Sequence, residues 1–562
     1  MRLQLSKESS IAKPGFNRWL IAPAALGIHL CIGSVYAWSL FNPTLTKRIG
    51  IVASAADDWS LSDVVWIFTV AIVSLGLAAA IAGRWLEEAG PRLVGVISAT
   101  AWGGGFVIGG LGIVYEQLWL LYFGYGVIGG FGLGLGYVSP VSTLIKWFPD
   151  RRGMATGIAI MGFGGGAILA KPMIEGLLQF YYTAPTYLGL TESLDVVTEN
   201  GRRMVTIAGQ LREVVVVGKN DVAQMVVASH EGVYLSGTGS VGVAQTFFTL
   251  GGIYLTIMLI AAFSYRVPSA DWSPPVPVRL QEGKKKSLIT AHDVDINQAM
   301  KTPQFYLLWI VLCFNVAAGI GVLAVAKTMI TEIFGSTLPQ TVNANFAATY
   351  VLMISIFNML GRFFWASLSD YIGRKNTYYI FFSLGLMLYS SIPYFAHEVS
   401  VSPEIFWLVC FYATTMLIFT MYGGGFATIP AYLADIFGTR FVGGIHGRLL
   451  TAWSTAGVIG PLAITTLRER AVEQAIKDLT SKVNPALFQK HFGESPDKLE
   501  LLVEMKTVTI RKLMEIVPPG TIDPTPQLYN GTMYLMAFLL FLALVANFFI
   551  SPVASKHHIK NP

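Results

Sequence analysis

The sequence predicts an all-α membrane protein: twelve transmembrane helices in two pseudo-symmetric six-helix bundles, with an added external region. Three observations carry this. The chain is 53% hydrophobic and only 13% charged, with a mean hydropathy of +0.57, a combination that sets it apart from soluble globular domains. It holds about a dozen apolar stretches of roughly 20 residues, each long enough to cross a hydrocarbon core of about 30 Å, and it lacks the alternation of a transmembrane barrel. A polar stretch at 267–302, containing SADWSPPVPV and GKKKS, divides the spans six and six.

Taken in order, the spans read 18–43, 61–83, 93–114, 118–146, 153–177, 246–266, 303–327, 344–368, 376–396, 404–434, 447–467 and 529–551. The expected domains are a bundle at 1–266, a cytoplasmic linker at 267–302 and a second bundle at 303–562. The basic amino terminus runs into a full-length span without an A-x-A-like site, so no removable signal peptide is expected. Cations cluster on one side: Arg84 and Arg92; Lys146, Arg151 and Arg152; Lys284, Lys285 and Lys286; Arg374 and Lys375; Arg440 and Arg448. The opposite short loops carry chiefly Lys47 and Arg48. The positive-inside rule therefore predicts cytoplasmic termini in a multi-pass protein of the cell (inner) membrane. Topology, and not nucleic acid, explains the net charge of +6. Cys31, Cys313 and Cys410 lie within spans and read as small core residues.

Two longer segments, about 178–245 and about 468–528, occupy equivalent places between the fifth and sixth spans of each half. The first is Val-rich with strand-like alternation, and the second reads as amphipathic helices, so a small external cap is expected. The halves also resemble each other at two cytoplasmic turns. RWLEEAGPR (84–92) aligns with SLSDYIGRK (367–375), and KWFPDRRG (146–153) with DIFGTRFVGG (435–444), as a duplicated six-helix unit requires.

Arg362 is the anomaly. It lies eight residues before Asp370, so it sits roughly 12 Å inside its helix, near mid-depth. A cation there costs at least about 2.5–3.5 kcal/mol, so an aqueous cavity and an anion are expected around it. Its repeat equivalent is Ala79, so symmetric scaffolding does not require it. Asp63, Glu116 and Glu175 all fall near span ends, and the spans hold no mid-depth carboxylate. A bound anion is favoured over a buried carboxylate or helix-end carbonyls. Other polar and aromatic candidates follow from spacing: His29 and Tyr36 share a face of the first span with Gly33, and Tyr137 and Phe426 are repeat equivalents. Asn315 is a polar candidate in the seventh span, whereas Trp38 and Trp453 read as packing. Lys171 and Lys327 read as snorkelling cations. The Gly-rich runs GGFGLGLG, MGFGGGA and YGGGF lie in spans without a P-loop Lys-Ser/Thr and read as close helix contacts.

The turn SLSDYIGRK resembles the signature cytoplasmic turn of the major facilitator superfamily. Within it, GIHLCIGSVYAWSLFNP (27–43), LIKWFPDRRGMATGIAIMGFGGGA (144–167), FNMLGRFFWASLSD (357–370) and GRLLTAWSTAGVIGP (447–461) resemble the oxalate/formate antiporter family and related monocarboxylate transporters. The resemblance implies alternating access, with the eighth-helix cation, Arg362, binding a substrate carboxylate among Tyr36, Tyr137, Phe426, Asn315 and Asn358. It implies a cytoplasmic gate of Asp370, Gly373, Arg374 and Lys375, with Glu87 and Arg92 in the first-half copy and Arg151 and Arg152 facing it.

Two departures narrow the substrate. Oxalate transporters of this family carry a lysine in the eleventh span, where this chain has Ala456. One guanidinium neutralises a monoanion but leaves a dianion uncompensated. Asn358 stands where animal monocarboxylate transporters have an Asp, which leaves His29 as the candidate for proton coupling. The expected function is secondary transport of a formate-, lactate- or pyruvate-like monocarboxylate, as antiport or proton symport. The expected partners are the small carboxylate, protons or a counter-anion, and the bilayer. An oxalate or dicarboxylate exchanger and a non-transporting receptor are the alternatives, although the tail SPVASKHHIKNP offers no signalling domain. No enzyme activity, cofactor, metal or nucleic acid is expected.

Overall fold

The computed structural model describes residues 5–199, 202–217, 230–269, 271–273, 288–290, 292–492, 494–504 and 508–559. Lys284, Lys285 and Lys286 of the linker, and 218–229 of the Val-rich segment, lie outside the described residues. Among the described residues twelve helices are long and apolar enough to cross a membrane. They are α1 (Arg18–Leu40), α2 (Trp66–Ala89), α3 (Pro91–Val114), α4 (Leu118–Trp147), α5 (Arg152–Tyr181) and α6 (Val243–Ser264), then α7 (Pro303–Leu323), α8 (Asn345–Ile372), α9 (Arg374–Val401), α10 (Ile405–Phe437), α11 (Val442–Thr480) and α12 (Thr525–Phe549). α11 begins five residues before the expected 447 and runs well past the expected 467, so its far end stands clear of the apolar span.

The turns that the internal repeat aligns share one backbone conformation. Gly90 ends α2 at φ 81°, ψ 161°, and Gly373 ends α8 at φ 87°, ψ 148°. Both lie in territory open to glycine, and both lead directly into the next helix. The two halves meet where α5 packs on α8 and where α2 packs on the first turns of α11. Inside the first half, α1 lies so close to α5 that a Cβ on Gly33 would overlap the carbonyl of Phe163. Two helices of the first half leave α geometry. The last residues of α1, Ser34–Leu40, wind as a 3₁₀ segment, and Tyr122–Gly129 of α4 is π-helical. Such irregular turns release backbone groups and re-aim side chains.

At the end opposite Gly90 and Gly373, the segment between α5 and α6 folds into an antiparallel sheet. Its strands are β1 (Tyr187–Gly189), β2 (Val197–Glu199), β3 (Arg202–Ile207), β4 (Gln210–Val217) and β5 (Gly232–Leu235), in the order β1-β5-β4-β3-β2. Ala208 and Gly209 close the β3–β4 hairpin, both with positive φ (50° and 79°), the twist a two-residue turn requires. The alternating valines divide between two faces. Val215, Val217 and Tyr234 cover Val52 of the α1–α2 loop, and Val205, Val214 and Val233 form a second small core. Arg202 bridges the loop carboxylate of Asp57 at 2.8 Å and Glu213 at 3.1 Å, and these two anions hold its guanidinium above its ordinary pKa. The corresponding segment of the second half holds short helices at Pro485–Phe492, Leu499–Glu504 and Ile510–Met514.

Candidate functional site

Arg362 projects from the middle of α8 with no solvent exposure. Its Nε–H donates to Oδ1 of Asn358, one turn earlier, at 3.2 Å, and Nη1 donates to the main-chain oxygen of Ile160 in α5 at 3.1 Å. The third nitrogen, Nη2, is buried and makes no well-directed hydrogen bond among the described residues. The guanidinium lies over two rings, Phe163 at 5.9 Å and Phe426 at 5.6 Å. Among the described residues no carboxylate pairs with it. Neutral acceptors and π faces recover about 1.5–3 kcal/mol per charged hydrogen bond and up to about 2 per desolvated ring. That is enough to hold the side chain at mid-depth, but it leaves the positive charge uncompensated.

Glycine makes the cross-half hydrogen bond possible. A Cβ on Gly164 would come within 2.7 Å of Arg362 Nε and 3.0 Å of Cζ, and one on Gly423 would meet the Asn358 backbone. The Gly-rich runs of α5 and α10 thus supply more than helix contact. They clear the volume in which the guanidinium lies against α5.

Around this cation both halves contribute aromatic side chains. Phe163 packs edge-on against Tyr36 (5.2 Å), Tyr137 (5.2 Å) and Trp453 (5.4 Å). Trp453 in turn meets Phe426 at 4.7 Å, and Phe426 meets Tyr422 at 6.0 Å. The hydroxyls of Tyr36 and Tyr422 approach each other and the guanidinium. Those of Tyr36, Tyr137 and Tyr422 are buried with no well-directed hydrogen bond among the described residues. His29 is fully buried, its ring 5.5 Å from that of Tyr137, and Nδ1 is 3.0 Å from the Ala25 carbonyl oxygen. His446 packs on the other flank of this group, 5.8 Å from Tyr137, with no hydrogen-bond partner for Nε2 among the described residues.

The structure therefore gathers Arg362, Asn358, Tyr36, Tyr137, Phe426 and His29 into one cluster. Asn315 stands one layer out, against Gly425 and along a narrow crevice with Tyr389 and Tyr422. Four members of the cluster escaped the sequence reading. Phe163 and Tyr422 lie inside the Gly-rich runs MGFGGGA and YGGGF, of which only the glycines and Phe426 were read. Trp453 was read as packing. His446 fell outside the expected span, because α11 starts at Val442.

Toward the Gly90 and Gly373 end the halves are tied by carboxylates on helix N-termini. Asp370 accepts from the backbone N–H groups of Gly153 and Met154, both at 2.9 Å, at the first turn of α5. Arg374 donates to Asp370 at 2.5 Å and lies 3.3 Å from Asp435, which takes Arg152 at 3.0 Å. The first-half copy repeats the arrangement. Glu87 accepts the N–H of Gly443 in the first turn of α11 at 3.1 Å and pairs with Lys146 at 2.5 Å. Each carboxylate thus caps a helix of the opposite half, where amide donors and the helix dipole favour negative charge.

Not every expected gate residue joins these two networks. Lys375 donates to the carbonyls of Phe548 and Ile550 at the end of α12, at 2.8 and 2.7 Å. Arg92 reaches Ser9 Oγ at 3.2 Å, and Arg151 is exposed just ahead of α5. Asp435 was not foreseen as a gate residue, although it opens the repeat segment DIFGTRFVGG.

The chain resembles known transporters along most of its length. It is 25% identical over 450 residues to the oxalate:formate antiporter of Oxalobacter formigenes, covering 79% of this chain and 83% of that protein. It is 22% identical over 491 residues to apicoplast pyruvate carrier 1 of Toxoplasma gondii, covering 77% and 80%. Its fold matches the crystal structure of a bacterial homologue of the iron transporter ferroportin in an outward-facing state, with a TM-score of 0.54 at 10% identity over 94% of this chain and 98% of that one. The family model of the Major Facilitator Superfamily matches residues 24–190 and 232–461. With the twelve helices and the paired six-helix halves, this match places the chain in the Major Facilitator Superfamily, as an integral multi-pass membrane protein.

Proposed function

We propose that the chain is a secondary active transporter of a small organic monocarboxylate, working by alternating access as an exchanger or a proton symporter. The observation that carries the reading is the buried guanidinium of Arg362, which has no carboxylate among the described residues to balance it and no well-directed hydrogen bond there at Nη2. A single monocarboxylate completes its hydrogen bonding and cancels its charge, whereas a dianion leaves one negative charge in a site of low dielectric. The antiporter and the pyruvate carrier among its relatives support this substrate class. Tyr36, Tyr137, Phe163, Tyr422, Phe426 and Trp453 would wall the acid, and Asn358 orients the arginine.

In this reading the networks of Asp370, Arg374, Arg152 and Asp435, and of Glu87 and Lys146, form the cytoplasmic gate, and the sheet lies outside the cell membrane. Rocking the halves breaks the helix caps at one end while the substrate stays on Arg362.

The test is uptake of labelled formate, lactate, pyruvate and oxalate into proteoliposomes, with and without a counter-anion or a pH gradient. Wild type is compared with Arg362→Ala. Accumulation of a monocarboxylate that the substitution abolishes in a folded protein supports the reading, and the gradient needed distinguishes exchange from symport. Preferred uptake of oxalate, or normal transport by Arg362→Ala, overturns it.

A further inference from the structure

We infer, on the alternating-access reading above, that His446 is a proton-operated brake: a proton bound to its ring while the cytoplasmic side is open keeps that side from closing.

His446 lies where the two halves shut against each other, in the first turns of α11. Three residues before it, Gly443 donates its N–H to Glu87 of α2 at 3.1 Å. A Cβ on Gly444 would meet the carbonyl of Gly83 in α2, and one on Gly447 would overlap that of Ala79. His446 itself is 1% exposed, and its ring packs 5.8 Å from that of Tyr137 in α4. Nε2 has no hydrogen-bond partner among the described residues. An imidazole of the second half is therefore covered by the first.

The charged groups around this contact are engaged elsewhere. Glu87 of α2 pairs with Lys146 of α4, and Arg84 pairs with Glu88. At the end of α10, Asp435 takes Arg152 and Arg374. In the turn that follows, Arg440 lies over the Phe441 ring. Arg448 donates to the Asn297 side chain in the linker, and Asp295 accepts the Asn297 N–H. His29 of α1 stands behind Tyr137, ring to ring at 5.5 Å, and supplies no negative charge. Among the described residues no carboxylate pairs with His446.

Charge on a ring so placed has neither water nor a counterion, so the closed arrangement admits only the neutral imidazole. When the halves part at this end, the face of α11 that met α2 and α4 is wetted, and the ring takes a proton from the cytoplasm as an ordinary histidine does. Loaded or empty, the carrier then closes only after that proton has returned to water. Acid therefore favours the arrangement open at this end. A histidine in water titrates at about 6.5, so lowering the pH from about 8 to about 5.5 multiplies the open-to-closed ratio by about ten.

The measurement is the distance between spin labels at Arg84→Cys of the first half and Asn376→Cys of the second, both exposed positions at the Gly90 and Gly373 end. It is read by pulsed electron paramagnetic resonance on the full chain in nanodiscs, with Cys410→Ser removing the partly exposed native thiol. Over that pH range the open population is expected to rise about tenfold relative to the closed one. In His446→Phe, which keeps an aromatic ring without a titrating nitrogen, the ratio should stay constant, and His446→Asn serves if the Phe variant does not fold. No rise with wild-type His446, or a rise that persists without the imidazole, overturns the brake. His29→Phe should keep the full response, and its loss there would assign the proton to His29 and overturn the brake as well. Asp370→Asn at pH 8 separates the two readings. If it lengthens the distance while acid does not, the gate stands and only the brake falls, and if neither lengthens it, both fall.

Discussion

Arg362 of the second half donates a hydrogen bond to the main-chain oxygen of Ile160 in the first half, at 3.1 Å. The same side chain that would hold the substrate therefore also joins the two halves at mid-depth. Any event that repositions the guanidinium changes a contact between them.

Gly164→Ala tests that geometry. The added Cβ would lie 2.7 Å from Arg362 Nε, so the guanidinium must shift from α5. Overpacking of this kind costs about 1–3 kcal/mol, and the expected outcome is transport reduced roughly tenfold in a protein that still inserts and folds. Uptake rate per folded molecule, with folding followed by gel filtration and melting, checks it. Unchanged transport would show that the close approach is incidental.

Asn358→Asp places a carboxylate where Oδ1 now accepts from Arg362 Nε at 3.2 Å. The new ion pair competes with the substrate for the same cation. KM is expected to rise by at least about tenfold near neutral pH and to fall again as acidification protonates the aspartate. A KM profile from pH 8 to pH 5, compared with wild type, checks both parts.

Asp370→Asn removes the charge that caps α5 through Gly153 and Met154 and pairs with Arg374. Losing charge-assisted hydrogen bonds costs about 1–3 kcal/mol at this end of the molecule, so the closed arrangement loses about tenfold or more in population. Accessibility of single cysteines placed below Arg362, read by a membrane-impermeant thiol reagent in inside-out vesicles, should rise accordingly. Loss of thermal stability without a change in accessibility would make the cap a folding device only.

In the cap, Val215→Asp buries a charge among Val52, Val217 and Tyr234. The sheet should detach from the α1–α2 loop, with a local cost of several kcal/mol, and become sensitive to protease while the helices remain folded. Arg202→Ala, by contrast, removes an exposed pair, its partner Asp57 being 60% exposed, and is expected to leave protease resistance unchanged.

Features governed by bulk chemistry were legible in the sequence: helix count from apolar length and the strands from alternating valines. Gly90 and Gly373 were legible for the same reason, since their left-handed backbone leaves few alternatives. The unread parts depend on relations between helices. Amide donors carry no letter in the sequence, so the partners of Asp370 and Glu87 at Gly153 and Gly443 were invisible. Phe163 and Trp453 are ordinary aromatic residues until α5 and α11 pack them on each other, with Phe163 under the Arg362 guanidinium. His446 was missed through a boundary error of five residues, which moved it from a buried helical turn into an expected loop.

The 39-residue length of α11 has a mechanical consequence. It spans about 58 Å, from the Gly443 amide at one end of the bundle to Thr480 at the other. Leu450 breaks the α-helix near its gate end and leaves Thr451–Thr480 as the outer arm, and a tilt of about 15° about Leu450 would sweep the tip of that arm by roughly 12 Å. The helical cap beyond it then works as a pointer. A pair of spectroscopic labels, one on that cap and one on the neighbouring sheet, would report each turnover from outside the transport path.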